Sequence, residues 1–169
     1  MATAALSADF VSALQEYQPL VRRVCRLYCP NDADDRQDLF QEIVVQLWRA
    51  WPRYEPRPDV KLSTWLYRIA LNVAISDLRR RTRRPAPDRL GEQVPDLPET
   101  TETYGADEFA ELYRAIEHLS DVDKAFVLLY LEDRSYEEMA AILGITQNNV
   151  RVKMHRVQHK LRQLLTLSN

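Results

Sequence analysis

Between residues 85 and 105 the chain reads PAPDRLGEQVPDLPETTETYG, a string that no regular element accommodates. It holds four of the nine prolines and two of the three glycines, and it has neither a helical nor a strand period. Such a stretch buries too little apolar surface to offset the entropy of ordering it. With 169 residues in all, the chain therefore divides into two small bodies, 1–84 and 106–169, joined by a linker over 85–105. The alternative is a long surface loop inside a single domain.

Apolar residues on both sides of that segment recur at helical spacing. Phe10, Leu14, Tyr17, Val21, Val24 and Tyr28 step by four and three, with Pro19 inside the run predicting a kink or a start near it. Pro30-Asn31-Asp32 breaks the chain. Leu39, Phe40, Ile43, Val44, Leu47, Trp48 and Trp51 form a second stripe that Pro52 ends. Residues 54–61 read as a loop, and a third helix begins near Ser63 with Leu66, Ile69, Ala70 and Val73 inward. After the linker four shorter helices are expected. Ser120 with Asp123, and Ser135 with Glu138, have capping-box spacing. The first of these helices carries Phe126, Val127, Leu129 and Tyr130, and the second buries Met139, Ala140 and Leu143. Gly144 supplies a left-handed stop, and Thr146 can cap the last helix. No segment alternates as a strand does, so the fold class is all-α, two small helical domains.

Charge is distributed in blocks. The net charge is −2 overall, but residues 49–84 carry +7, 85–123 carry −9 and 146–169 carry +5 with no acidic side chain. Each basic block can displace counterions from a phosphate backbone, although a solvated helix face has the same appearance. Three glycines leave no glycine-rich phosphate cradle, and two cysteines, Cys25 and Cys29, leave no disulfide framework or zinc-finger spacing. No apolar run is long enough to cross a bilayer and no secretory signal is evident, so the expected location is cytoplasmic.

The stretch from Ser135 to Leu165 reads as helix, tight turn, helix. In its second helix Val150, Met154, Val157, Leu161 and Leu164 share one stripe. Rotation by about 100° per residue leaves Asn148, Arg151, Val152, His155, Arg156, His159 and Arg162 outward, with Lys153 and Lys160 on the flank. Donors without carboxylates are what a helix in a major groove requires. His155 and His159 lie one turn apart, but no third metal ligand is in view. In the first body Trp51, Tyr54, Trp65 and Tyr67 stand among arginines and Lys61. Flat rings and cations together suit unstacked bases, and aromatic residues also simply fill cores. The acidic and amide stripe Asp38, Gln41, Glu42 and Gln46 repels phosphates, so it faces protein or water.

The order DLFQEIVVQLW, KLSTWLYRIALNVAISDLRRR, an acidic segment, and then HLSDVDKAFVLLYLEDRSYEEMAAILGITQNNVRVKMHRVQHKLRQLL resembles bacterial extracytoplasmic-function sigma factors, across nearly the whole chain. The resemblance implies that the first body is sigma region 2 and the second sigma region 4. Asp38, Gln41, Glu42 and Gln46 would then dock on the β′ clamp helices of core RNA polymerase. Asp59, Lys61, Ser63, Thr64, Trp65, Arg68 and Asn72 would hold the opened non-template strand of the minus-ten element. Arg79, Arg80 and the arginines after them would touch backbone nearby. The helix from Asp121 to Leu131 would meet the β-flap. Asn148, Arg151, Val152, His155 and Arg156 would read the minus-thirty-five element. The same resemblance implies no catalytic residues, no cofactor and no membrane insertion, and it makes an anti-sigma factor a plausible partner.

Two other classes fit parts of the chain. A stand-alone repressor or activator would use the C-terminal helix-turn-helix and leave Trp65 and DLFQE without a task. A partner-binding helical protein or metal enzyme would use Cys25 and Cys29, one helical turn apart, as ligands.

Overall fold

The structure, a computed structural model, describes residues 2–83 and 106–167. The segment read as a linker, 85–105, lies outside the described residues. The chain divides into two units, Met1–Val94 and Pro95–Asn169. Among the described residues every regular element is helical apart from one isolated bridge between Arg57 and Val60.

The first unit is three helices. Helix α1 (Ala2–Tyr28) runs unbroken through Pro19. Pro19 and Gln15 are both exposed, so the carbonyl deprived of its helical partner faces water. Helix α2 (Ala33–Ala50) starts where the Asp35 N–H donates to the Asp32 carboxylate at 2.9 Å, with Asp34 and Asp35 favouring the positive end of the helix dipole. A short 3-10 turn, Trp51–Arg53, ends it at Pro52. Helix α3 (Leu62–Arg83) follows the loop.

Val21, Val24, Leu39, Ile43, Leu47, Leu66, Tyr67, Ala70, Leu71 and Ala74 meet in the core. The expected stripe on α3 is corrected here: Ile69 and Val73 are only half-buried, whereas Tyr67, Leu71 and Ala74 are buried. Helix α3 packs on both α1 and α2, so it buries a wider arc than one stripe. Trp48, expected inward, is 44% exposed.

The second unit holds α4 (Ala106–Glu117), α5 (Asp121–Leu131), α6 (Tyr136–Leu143) and α7 (Gln147–Leu167). Helix α5 is buried continuously from Asp123 to Leu129, as the central helix of a small body must be. Tyr130, expected with them, is exposed. The chain leaves α5 through Asp133 at φ 53°, with the Arg134 N–H on the Leu129 carbonyl and the Asp133 N–H on that of Tyr130. This is a Schellman ending with aspartate where glycine is usual. Helix α6 has both halves of its capping box: Glu138 N–H donates to Ser135 Oγ at 3.1 Å, and Ser135 N–H donates to Glu138 Oε2 at 2.9 Å. It buries Met139 and Ile142, while Ala140 and Leu143, expected inside, are half-buried. At Gly144, φ is 68°.

Candidate nucleic-acid interface

Three residues, Gly144-Ile145-Thr146, turn α6 into α7, and Thr146 Oγ1 accepts the Asn149 N–H at 3.2 Å. That cap fixes where α7 begins. Val150, Met154 and Val157 anchor one face in the core. Asn148, Arg151, Val152, His155 and Arg156 therefore all stand exposed along the opposite face, as do His159 and Arg162. Val152 is 46% exposed, an apolar residue among donors. No acidic residue occurs anywhere on α7. The surface can thus donate hydrogen bonds to groove edges and approach phosphates without repulsion.

Lys153 and Lys160 behave differently from the arginines. Lys153 Nζ lies 3.0 Å from one carboxylate oxygen of Asp123, and Lys160 Nζ lies 3.9 Å from the other. The reading of Ser120 and Asp123 as a capping box is half correct. Ser120 Oγ accepts the Asp123 N–H at 3.2 Å, but the Asp123 carboxylate turns to α7 instead.

In the first unit Trp65 occupies the first turn of α3, half-buried. Its ring lies 4.9 Å from that of Tyr54 and 5.9 Å from that of Trp51, and Trp51 stacks on Tyr54 at 5.4 Å. Phe10 meets Trp51 and Trp48 edge-on at 5.5 and 5.1 Å. The aromatic residues thus form a connected rim rather than a sealed core. Asp59, Lys61, Arg68, Asn72, Arg79 and Arg80 are exposed around and beyond it. Ser63 and Thr64 are buried, 5% and 6% exposed, beneath that surface. Ser76, Arg79, Arg80 and Arg83 share one exposed side of α3, and Arg80 also pairs with Asp77 at 2.7 Å.

Arg81 departs from the expectation that the arginines following Arg79 face DNA. Its guanidinium binds Asp77 at 2.7 Å, the Tyr28 carbonyl at 3.2 Å and Cys29 Sγ at 3.0 Å. Arg36 donates to the carbonyls of Cys29 and Pro30 at 3.1 and 2.8 Å. Two arginines thereby satisfy carbonyls at the end of α1 that the helix itself leaves without partners. Sequence spacing does not reveal this, because Arg81 looks like its neighbours. Both thiols are buried beside it, and desolvation pushes Cys25 up to about 12 and Cys29 up to about 11. Among the described residues no three His, Cys, Asp or Glu side chains gather where they could hold a metal.

On α2, Asp38, Gln41 and Glu42 are exposed and Gln46 is half-buried. Gln46 Nε2 donates to Glu42 Oε1 at 2.9 Å, and Val45, 41% exposed, interrupts the polar stripe. No helix among the described residues is long and apolar enough to cross a membrane.

Comparison with known proteins agrees with this division. Residues 13–84 match the sigma-70 region 2 family and residues 109–158 the sigma-70, region 4 family. The chain is 30% identical over 165 residues to the ECF RNA polymerase sigma factor SigE of Mycolicibacterium smegmatis, spanning 91% of this chain and 63% of that protein's length. It is 29% identical over 157 residues to the ECF RNA polymerase sigma-E factor of Escherichia coli strain K12, covering 86% of this chain and 80% of the relative. Among solved structures, the sigma factor RpoE from Bartonella quintana, in complex with the anti-sigma factor NepR, shares the fold. The TM-score is 0.70 at 24% identity, over 95% of this chain and 99% of that one. The sigma factor-like order of a region 2 followed by a region 4, each matched in its own folded unit, places the chain: it belongs to the sigma-70 family, among the extracytoplasmic-function (ECF) RNA polymerase sigma factors.

Proposed function

We propose that this chain is a promoter-specificity subunit: it joins core RNA polymerase, directs it to two separated DNA elements and supports opening of the downstream one. The observation that carries this reading is the exposed face of α7, where Asn148, Arg151, Val152, His155 and Arg156 stand outward on a helix without a carboxylate. That face reads the minus-thirty-five element in the major groove. In the other unit the Trp65 rim, with Asp59, Lys61, Arg68 and Asn72 around it and Ser63 and Thr64 shaping the turn below, holds the non-template strand of the minus-ten element. Arg79 and Arg80 contact its backbone.

The polar stripe of Asp38, Gln41, Glu42 and Gln46 docks on the β′ clamp helices, and α5 with its surroundings meets the β-flap. The chain performs no catalysis and carries no cofactor, since nucleotide addition belongs to the polymerase, and it acts in the cytoplasm. An anti-sigma factor is a fitting partner, because a solved relative of the same fold is held by one.

The test is reconstitution. The purified chain added to core RNA polymerase and genomic DNA is expected to give start sites absent with core alone. No such start site overturns the reading, and tight binding to duplex without polymerase points to a stand-alone regulator.

A further inference from the structure

Of the five cations in the C-terminal basic block, Lys153 and Lys160 share one carboxylate, Asp123, which belongs to α5 and not to their own helix. Asp123 is 7% exposed, and no acidic residue of α7 offers the lysines an alternative within their own helix. The lysine side chains remain 40% and 48% exposed, so their stems lie along the surface between α5 and the outward face of α7. An ammonium on a four-carbon stem is a mobile point charge, able to reach any phosphate within its sweep. Arg151 and Arg156 have no such tether in α5 and stand on the exposed face.

We propose that Asp123 is a specificity-setting residue. By holding Lys153 and Lys160 against α5, it withdraws two cations from sequence-independent contact with the DNA backbone and leaves the groove-facing arginines to dominate binding. This rests on the reading of α7 as the DNA-contacting helix. Phosphate contacts strengthen binding to every sequence alike, whereas base contacts distinguish sequences. A carboxylate that restrains the phosphate-seeking lysines therefore lowers non-specific affinity without touching DNA. Asp123 is a positioning residue in this sense, acting only through the two lysines.

The experiment measures binding of the full chain to a mixed-sequence duplex by fluorescence anisotropy across a salt series. Asp123→Asn keeps the size of the side chain, and both freed ammoniums are exposed enough to hydrate. It is expected to raise affinity several-fold at low salt and to steepen the salt dependence by about one to two phosphate contacts. Asp123→Glu, which keeps the charge, returns both quantities toward the parent. Adding Lys153→Met and Lys160→Met to Asp123→Asn abolishes the gain. Unchanged affinity and slope in folded Asp123→Asn overturn the proposal, as does a gain that survives loss of both lysines.

The pair Lys153→Met and Lys160→Met with Asp123 intact covers the case in which Asp123→Asn does not fold. The expected result is little change in slope, and a slope reduced by nearly two contacts shows that the lysines already bind phosphate and overturns the proposal. Arg151→Ala with Arg156→Ala, measured on a promoter duplex that carries the upstream element, separates the underlying reading. If that double variant binds the duplex as the parent does, α7 is not the DNA contact and both statements fall. If it weakens binding while the Asp123 variants change nothing, the proposal alone falls.

Discussion

The Trp51 and Trp65 rings meet edge to face with centroids 5.9 Å apart, although Trp51 ends the second helix of the unit and Trp65 begins the third. The loop between them is thereby closed at its base, and Tyr54 within it packs on both rings. Packing and strand capture are compatible uses of one ring: Trp65 touches Trp51 and Tyr54 and is only half-buried, so part of it stays accessible. Trp65→Ala is expected to cost about 1–3 kcal/mol in stability, less than a fully buried tryptophan, and to impair strand opening more than duplex binding. Trp65→Phe recovers most of both. Permanganate reactivity of thymines in the promoter, beside a thermal melt of each variant, checks this. A folded Trp65→Ala protein with normal opening assigns the ring to packing alone.

Arg151 stands exposed near the start of α7, within reach of a groove once Thr146 has fixed the helix origin. Arg151→Ala is expected to cost about 1–3 kcal/mol of promoter binding and to relax preference at one base position, as loss of a two-pronged base contact does. Binding to a set of single-base promoter variants measures it. An equal loss on every sequence assigns Arg151 to a phosphate.

Two helix ends in the second unit use the left-handed backbone, Asp133 at φ 53° and Gly144 at φ 68°. Nothing lies within 4 Å of a Cβ placed on Gly144, so Gly144→Ala has only a backbone cost, about 1 kcal/mol. Asp133→Gly relieves the same strain and is expected to stabilise by about 0.5 kcal/mol, the relief outweighing the added freedom of the unfolded chain. Urea unfolding curves of the two variants are expected to shift in opposite directions, and a shift in the same direction contradicts this assignment.

The buried thiols of Cys25 and Cys29 set an alkaline limit. Their folded values, about 12 and about 11, exceed the ordinary 9.0, so the folded chain holds these protons more tightly than the unfolded chain. Their contribution is complete below pH 9 and is lost as pH rises through 11 to 12. The melting temperature is expected to fall above pH 9 in the parent and less steeply in a Cys25→Ala, Cys29→Ala variant. In the native protein near neutral pH both thiols should react with a disulfide reagent only as fast as the first unit unfolds. Immediate reaction of either contradicts the burial.

Much of this architecture was legible because it is written in local signals. Ser135 and Glu138 cap α6, Gly144 stops it, Thr146 starts α7, and the alternation of apolar and basic residues on α7 separates its two faces. What local signals conceal is partnership over distance. Arg81 is indistinguishable by sequence from Arg79 and Arg80, yet it turns inward to Tyr28, more than fifty residues earlier. Asp123 has capping-box spacing from Ser120 but spends its carboxylate on lysines thirty and thirty-seven positions later. Helix α3 misled for a related reason: it lies against two helices at once, so a single inward stripe undercounts its buried residues. Pro19 stays within α1 because its side of the helix faces water, which its position in the sequence does not disclose.

The central claim is that one chain grips promoter DNA at two places through two helical units while bound to polymerase. Footprinting the reconstituted holoenzyme on a promoter recovered by initiation tests it most directly. Two separate protected segments are expected, with the upstream one lost in Arg151→Ala, Arg156→Ala and thymine reactivity in the downstream one lost in Trp65→Ala. A single protected segment, or two that neither set of substitutions disturbs, contradicts it.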